Sequence, residues 1–494
     1  MDFNPVKLIL LFAWILSGIY LLDRINAAPG KWSRNNANQG EYGREWFVLF
    51  FGPGYWLWHT CRGSWINAVQ RFFRKVDRKM RKSSVTIIDS RGVVLFEDEY
   101  DNPAVDEIKN LIQLAINRRA SDIFIDPAGN QVNLRFRCDG AIIPVKSMDM
   151  VFGDNVISAI KVCAGMDITE KRRPQDGSFS ACHSEGEVSF RVATVGAFGG
   201  EKVAIRLLGS ESGPTSLEAI GFSSGQLELL RNAIGLPSGM ILMCGGTGSG
   251  KTTTLYALIN NIDYSLRNVI SIEDPVERVI PNISQMEVNA KADISFAKLL
   301  RNALRQNPDV ICVGEIRDEE TAAIAVHAAQ TGHLIISTIH SNDTVDTIDR
   351  MSSLGIPLRS LAATIKIIIN QRLARRLCEK CKKKMEQIPP EWQTFFTESQ
   401  LEMDHIYAPV GCPECNGTGY SGRVACFEIL VIDTLLRSEL EQESCTLSHI
   451  RQLAIERNGG NSLQYHSIML AVSGITSLAE VERVTRSIDG GSRI

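Results

Sequence analysis

The stretch Gly245-Gly246-Thr247-Gly248-Ser249-Gly250-Lys251-Thr252 decides how the rest of the chain is read. It fits the pattern G-x-x-x-x-G-K-[ST] in the context the mechanism requires. Before it, Met240-Ile241-Leu242-Met243-Cys244 is a short apolar run of strand length; after it, residues 252–262 carry helix formers and no breaker. A glycine-rich turn between strand and helix lets backbone N–H groups wrap phosphates without Cβ clashes, and the helix N-terminus adds partial positive charge. An ordinary Gly/Ser turn is the plain alternative, and the complete motif between a strand and a helix argues against it. The expected nucleotide-binding residues are Gly245, Gly246, Thr247, Gly248, Ser249, Gly250, Lys251, Thr252 and Thr253. Lys251 would reach the β- and γ-phosphates, and the Thr252 hydroxyl would ligate Mg²⁺. The ligand expected here is ATP.

Downstream, the apolar runs 269–272, 310–313 and 334–338 each end in polar residues. Strands alternating with helices predict a parallel sheet covered on both faces, with ligands off its carboxyl edge. The first exit is Glu273-Asp274-Pro275-Val276-Glu277, a set of carboxylates able to hold Mg²⁺ or water, or simply an Asp-Pro turn. The second is Gly314-Glu315-Ile316-Arg317-Asp318, where Glu315 is expected to polarise the attacking water. Gly314 stands where a strand-end aspartate is usual, so Thr252, phosphates and water would supply most Mg²⁺ ligands. The third is bracketed by His333 and His340. Both read as phosphate or neighbour sensors, the alternative being satisfied core histidines.

At 494 residues the chain has room for about three domains. A net charge of −3 argues against a global attraction to nucleic acid. Twelve cysteines over this length do not make a disulfide scaffold, and thiols alongside ATP place the bulk of the chain facing the cytosol. Residues 8–22 are uncharged and, as a helix, would span about 22 Å, short of a full bilayer core but extendable by Lys7 and Arg24. They read as a membrane anchor, with a cleaved signal peptide or a buried helix as rivals. Residues 46–58 are aromatic-rich around Gly52-Pro53-Gly54, which suits an interfacial or re-entrant segment. Residues 62–82 read as a basic amphipathic helix on an anionic inner leaflet, or as a solvated linker helix.

Residues 83–213 read as a separate α+β domain: a hairpin turning at Asp89-Ser90-Arg91-Gly92, a helix including 110–117, and strands at 123–125, 132–137, 142–145, 189–192 and 202–208. The pairs Cys378/Cys381 and Cys412/Cys415 can present four thiolates tetrahedrally, a structural Zn²⁺ signature with no open position for catalysis. A redox pair is the rival, without a thioredoxin-like context to support it.

With these residues in place, the chain resembles the secretion ATPases of type II secretion and type IV pilus assembly over about residues 100–430. The family's Walker A is similar to residues 245–252, its Asp box to 273–277, its atypical Walker B to 313–318 and its His box to 332–343. Ala120-Ser121-Asp122, Arg135-Phe136-Arg137 and Arg172-Arg173-Pro174-Gln175-Asp176-Gly177 are similar to the family's second N-terminal domain. The resemblance implies an α/β fold with a RecA-like P-loop NTPase core (214–377) and an upstream α+β domain (83–213); the residues themselves add a small zinc subdomain (378–425), a helical region (426–494) expected to pack between subunits and a membrane-associated segment (1–82). It implies a homo-hexamer with ATP between the two lobes of the chain. Lys251, Glu273, Glu315 and His340 would be catalytic, and arginines of the upstream domain would complete the pocket. Arg191 and Arg206 fit best, Arg135 and Arg137 less well, and the plain alternative for each is a surface strand charge.

The tetracysteine resembles the assembly and secretion branch, which implies an inner-membrane platform protein as partner and pilin or pseudopilin as the fibre moved. Residues 1–82 depart from the family's soluble docking domain, so regulation through that domain is not carried over. The main expectation is an ATP-hydrolysing motor at the cytoplasmic face of the bacterial inner membrane. A nucleic-acid motor or DNA-uptake ATPase is the alternative, and a nucleotide-gated scaffold without turnover a third reading.

Overall fold

The computed structural model describes residues 85–485 except 90, 97–101, 185, 209–215, 290–291, 400, 402–404, 443 and 459–461. The anchor, interfacial and basic-helix readings of residues 1–82 therefore lie outside the described residues. Among the described residues, no helix is long and apolar enough to cross a membrane.

The first half builds one antiparallel sheet from β1 (Thr86–Asp89), β2 (Val94–Leu95), β3 (Ala120–Ala128), β4 (Gln131–Cys138), β5 (Ala141–Asp149), β6 (Gln175–His183), β7 (Gly186–Ala197) and β8 (Gly200–Leu208). Its eight strands run in the order β2-β1-β6-β7-β8-β3-β4-β5. Two helices, α1 (Pro103–Asn117) and α2 (Met150–Cys163), supply the apolar cover. The Asn102 and Asp149 side chains cap them, accepting from Ala104 N at 3.0 Å and Phe152 N at 2.9 Å. Strict alternation sorts the two faces. Val132, Leu134 and Phe136 of β4, Phe190 and Val192 of β7, and Val203 and Ile205 of β8 are buried under the helices. Asn133, Arg135, Arg137, Arg191, Lys202 and Arg206 therefore stand on the opposite face. Lys161 of α2 makes a fully buried ion pair with Glu201 at 2.8 Å and donates to the Glu170 carbonyl at 2.7 Å. That ammonium ties the loop before Arg172 to the sheet.

The second half contains α3 (Leu217–Ile220), α4 (Ser224–Ile234), β9 (Gly239–Cys244), α5 (Lys251–Asn260), β10 (Val269–Glu273), β11 (Ser284–Glu287), α6 (Phe296–Ala303), β12 (Val310–Val313), α7 (Glu319–Gln330), β13 (Leu334–Ile339), α8 (Thr344–Ser353), α9 (Leu358–Thr364) and β14 (Ile365–Leu377). Next come β15 (Lys383–Lys384), α10 (Pro390–Glu398), β16 (Tyr407–Ala408), β17 (Tyr420–Val431), α11 (Thr434–Leu440), α12 (Leu447–Asn458), α13 (Leu463–Val472) and α14 (Leu478–Thr485). The main sheet has seven strands in the order β11-β10-β12-β13-β9-β14-β17. Every pairing is parallel except β14 with β17. All residues of β9, β10, β12 and β13 are buried, as two covered faces require.

The α/β architecture expected from the sequence is present, with one difference in layout. The four paired cysteines interrupt the main sheet, because they sit between β14 and β17, which pair with each other along most of their length. β17 runs through the expected boundary at residue 425, so the last region opens on strand before turning helical. Its helices pack on their own chain: Leu377 N donates to Ile475 O at 2.9 Å, and Phe427 N donates to His466 Nδ1 at 3.0 Å. Arg375 grips the fully buried Glu480 at 2.6 Å and lies over the Tyr420 ring.

Candidate active site

The parallel register brings the expected residues to one edge. Ile272 of β10 pairs with Val313 of β12, Val313 with Ser337 of β13, and Ile339 of β13 with Cys244 of β9. Glu273, Glu315, His340 and the loop beginning at Gly245 thus leave their strands side by side at the carboxyl edge. His333 does not join them. It precedes β13, a strand length of about 20 Å away, and its Nδ1 lies 2.9 Å from the Ala328 carbonyl at the end of α7. Its proximity to His340 in the sequence only reflects the strand between them.

Three glycines give the loop its shape, with φ of +139° at Gly245, +76° at Gly248 and +88° at Gly250. α5 follows without a side-chain cap, which leaves its first N–H groups facing the loop. The Lys251 ammonium bridges the loop by donating to Gly245 O at 2.7 Å and Gly246 O at 3.1 Å. Burial holds its pKa below the ordinary lysine value, against the pull of Cys244 and Glu315. The buried Ser249 hydroxyl has no hydrogen-bond partner in the protein. A cradle of backbone N–H groups, an ammonium and an orphaned hydroxyl suits a polyphosphate. Thr252 and Thr253 occupy the first turn of α5, partly exposed.

Beneath the loop lies Gln371 of β14, only 2% exposed. Its Oε1 accepts from the buried Thr254 hydroxyl at 2.8 Å. A β-carbon on Gly245 would stand 2.4 Å from the Gln371 carbonyl oxygen. Both ends of the loop thus rest on one residue that the sequence reading did not single out. The available signal was the polar pair Asn370-Gln371 inside the apolar strand 365–377.

The Glu315 carboxylate is flanked by Arg317, which pairs with Oε1, and by His340, whose Nε2 is 3.8 Å from Oε2. Arg317 also approaches Asp274 at 3.9 Å. Desolvation, then Lys251, lowers the His340 pKa below 6.5; Glu315 opposes this and Arg317 adds to it. The imidazole beside Glu315 is therefore predominantly neutral at neutral pH. Glu273 is only 5% exposed and its carboxylate is fully engaged: it accepts from Ser271 Oγ at 2.6 Å, from Gln285 Nε2 at 2.9 Å and from the Tyr256 hydroxyl. It links β10 to α5 and β11, which leaves Asp274 and Glu277 as the outer carboxylates of that exit.

Arg191 and Arg206 are directly paired across β7 and β8. Desolvation by the surrounding walls and then Glu273 raise the Glu277 pKa, while Arg206 and Arg191 pull it down. Both arginines thus act on the Glu277 carboxylate of that exit. Arg135 and Arg137 instead engage Asp126 at 2.7 Å and Asp122 at 3.2 Å on their own sheet; Arg206 shares Asp122 at 3.1 Å.

The thiols of Cys378, Cys381, Cys412 and Cys415 all lie within 4.8 Å of one another. The separations are 3.9 Å for Cys378–Cys412, 3.8 Å for Cys381–Cys415 and 3.7 Å for Cys412–Cys415. A zinc–sulfur bond of about 2.3 Å gives a tetrahedral edge of about 3.8 Å, so the set fits that ion. Burial raises the Cys415 pKa, but N–H donors from Cys412 and Gly419 and the neighbouring thiols outweigh it and bring it down to about 6. A thiolate is the form a metal takes.

Residues 97–483 match the family model described as type II/IV secretion system protein. The chain belongs to that family. Its similarity to the type IV pilus assembly ATPase PilB of Pseudomonas aeruginosa is 39% identity over 389 residues, covering 78% of this chain and 68% of that protein. To the type II secretion system protein HxcR of the same organism it is 40% identical over 392 residues, 79% of each chain. Among solved structures, the pilus retraction motor PilT with bound ADP matches with a TM-score of 0.51 and 26% identity, over 78% of this chain and 98% of that one. The resemblance read from the four motifs is correct, and membership of the family accounts for their order along the chain.

Proposed function

We propose that this chain is an ATP-hydrolysing motor that assembles a pseudopilus or type IV pilus at the inner membrane and thereby drives secretion. The observation that carries this reading is the convergence of Lys251, Glu315 and His340 at the edge where the glycine loop cradles phosphate. Lys251 and the backbone of residues 245–252 hold the β- and γ-phosphates. Glu315 orients the attacking water and takes up its proton, kept in place by Arg317. His340, neutral, donates a hydrogen bond toward the terminal phosphate. Arg191 and Arg206 supply positive charge from the other lobe as charge develops on the transferred group. When bound, Mg²⁺ would be held by the Thr252 hydroxyl and would neutralise phosphate charge. Zn²⁺ on the four cysteines would fold the knuckle between β14 and β17.

A homo-hexamer working against a membrane platform protein is part of this proposal, as is membrane attachment through residues 1–82. So is the division into an upstream lobe (83–213), a RecA-like core (214–377), a zinc subdomain (378–425) and a C-terminal region (426–494). The relatives support the motor reading over a nucleic-acid machine. Within the basic run after Cys378, Lys380 pairs with Glu414 at 2.8 Å and Lys382 with Glu379 at 2.7 Å. The test is ATP turnover by the full chain as a function of its concentration, with Glu315→Gln as control. Specific activity that rises with concentration and is lost in the variant supports a ring whose pockets need a neighbour. Turnover unchanged in Glu315→Gln overturns the mechanism.

A further inference from the structure

His340 lies on a short connection between the end of β13 and the start of α8, and each of the three residues after it is held. Ser341 Oγ lies 2.7 Å from Thr347 Oγ1. The Asn342 carbonyl accepts from Arg372 Nη2 at 3.5 Å, and the same guanidinium donates to Val484 O of α14 at 2.7 Å. Asp343 caps α8, accepting from Asp346 N at 2.8 Å through Oδ1. Its other oxygen accepts from Arg451 Nη1 of α12 at 2.5 Å, and Arg451 Nη2 reaches Asp346 Oδ1 at 2.6 Å. One planar guanidinium therefore spans two carboxylates of the turn that follows His340, a geometry that a point charge cannot reproduce in full.

From this arrangement we infer that Arg451 is a positioning residue for the hydrolytic site: it fixes the direction of His340 by clamping Asp343 and Asp346 from the C-terminal helical region. The inference rests on the role proposed above for His340. It gives α12 and α14 a part in the chemistry, since any displacement of these helices is passed to the backbone three residues from the imidazole. A packing staple would stabilise the fold alike in every nucleotide state. A positioning clamp acts on the transition state, where a small misdirection of His340 costs rate rather than affinity.

The experiment is steady-state ATP hydrolysis and ADP affinity of the full chain carrying Arg451→Ala, Arg451→Lys, His340→Ala and the double change. Arg451→Ala should lower kcat about tenfold with KM and ADP affinity within about twofold, and Arg451→Lys should recover part of the loss. In the His340→Ala background, Arg451→Ala should have no further effect beyond about twofold. Should Arg451→Ala fail to fold, Asp346→Ala removes one of the two acceptors, leaves the Asp343 cap in place and should move kcat the same way by less. An unchanged kcat, a loss that appears only in KM, or full additivity with His340→Ala overturns the inference. If His340→Ala itself leaves kcat intact, the sensor role falls first and the positioning role with it.

Discussion

A β-carbon built on Gly250 would stand 2.8 Å from Gln371 Nε2, so the glycine loop and β14 are fitted to each other with no room for a methyl group. The left-handed backbone at this glycine, φ +88°, adds a second reason for its identity. Gly250→Ala should weaken ADP binding more than about tenfold, from conformational strain of about 1–2 kcal/mol plus the close contact. Gln371→Ala should weaken it by about fivefold through the lost Thr254 bond. Calorimetric titration with ADP reads both, and combining them should restore part of the affinity lost in Gly250→Ala.

Lys251 and Glu315 should separate binding from chemistry. Lys251→Ala should lose both ADP affinity and turnover, because its ammonium bridges the loop. Glu315→Gln should keep ADP affinity and lose turnover by about 10²–10⁴-fold. Measuring affinity and rate on the same preparations tests the division.

The pH dependence follows from His340, whose pKa is held below 6.5. Above that lowered value the imidazole is neutral and able to act. As pH falls through it the ring charges beside Lys251 and Arg317, and turnover should decline. The acid limb of the kcat profile should therefore sit below pH 6.5, and His340→Gln should flatten that limb while lowering the plateau.

Among the upstream arginines, Arg191→Ala and Arg206→Ala should each lower kcat about 10–100-fold. Arg135→Ala and Arg137→Ala, which unlike Arg191 and Arg206 are not among the charges acting on Glu277, should leave it within about twofold. Equal losses in all four would mean that the whole sheet face, and not one pair, meets the nucleotide.

Stripping the four thiolates of zinc with a strong chelator, or introducing Cys412→Ser, should lower the thermal midpoint by at least about 5 °C. The wild-type chain should release one zinc, detectable with a chromogenic chelator, and the variant none.

What the sequence reveals is local. The glycine loop, the two cysteine pairs and the three strand exits each declare themselves over a few neighbouring residues, and alternation alone places Arg135 and Arg137 on one face of their strand. What stays hidden depends on distant partners. Thr254 and Gln371 are separated by 117 positions, and Asp343 and Arg451 by 108. The same limit explains Glu273, whose place in the Asp box says nothing of the Ser271, Gln285 and Tyr256 donors that occupy it. His333 misleads for the opposite reason, since it is near His340 along the chain while lying at the far end of a strand.

β14 supports the glycine loop at Gln371 and leads directly into Cys378, the first of the four clustered thiols. At about 3.3 Å per residue these points are roughly 23 Å apart along one strand, which is laddered to β17 over nearly that whole distance. Such a ribbon behaves as a beam. Asp139, in the turn between β4 and β5, touches it near the thiol end, accepting from Gly422 N at 2.8 Å. A push from the upstream sheet at that end would be felt under the phosphates, and a tightening of the loop would be felt at the knuckle. A metal held by the four thiols would then serve as an abutment, keeping the far end of the beam stiff enough for force to travel.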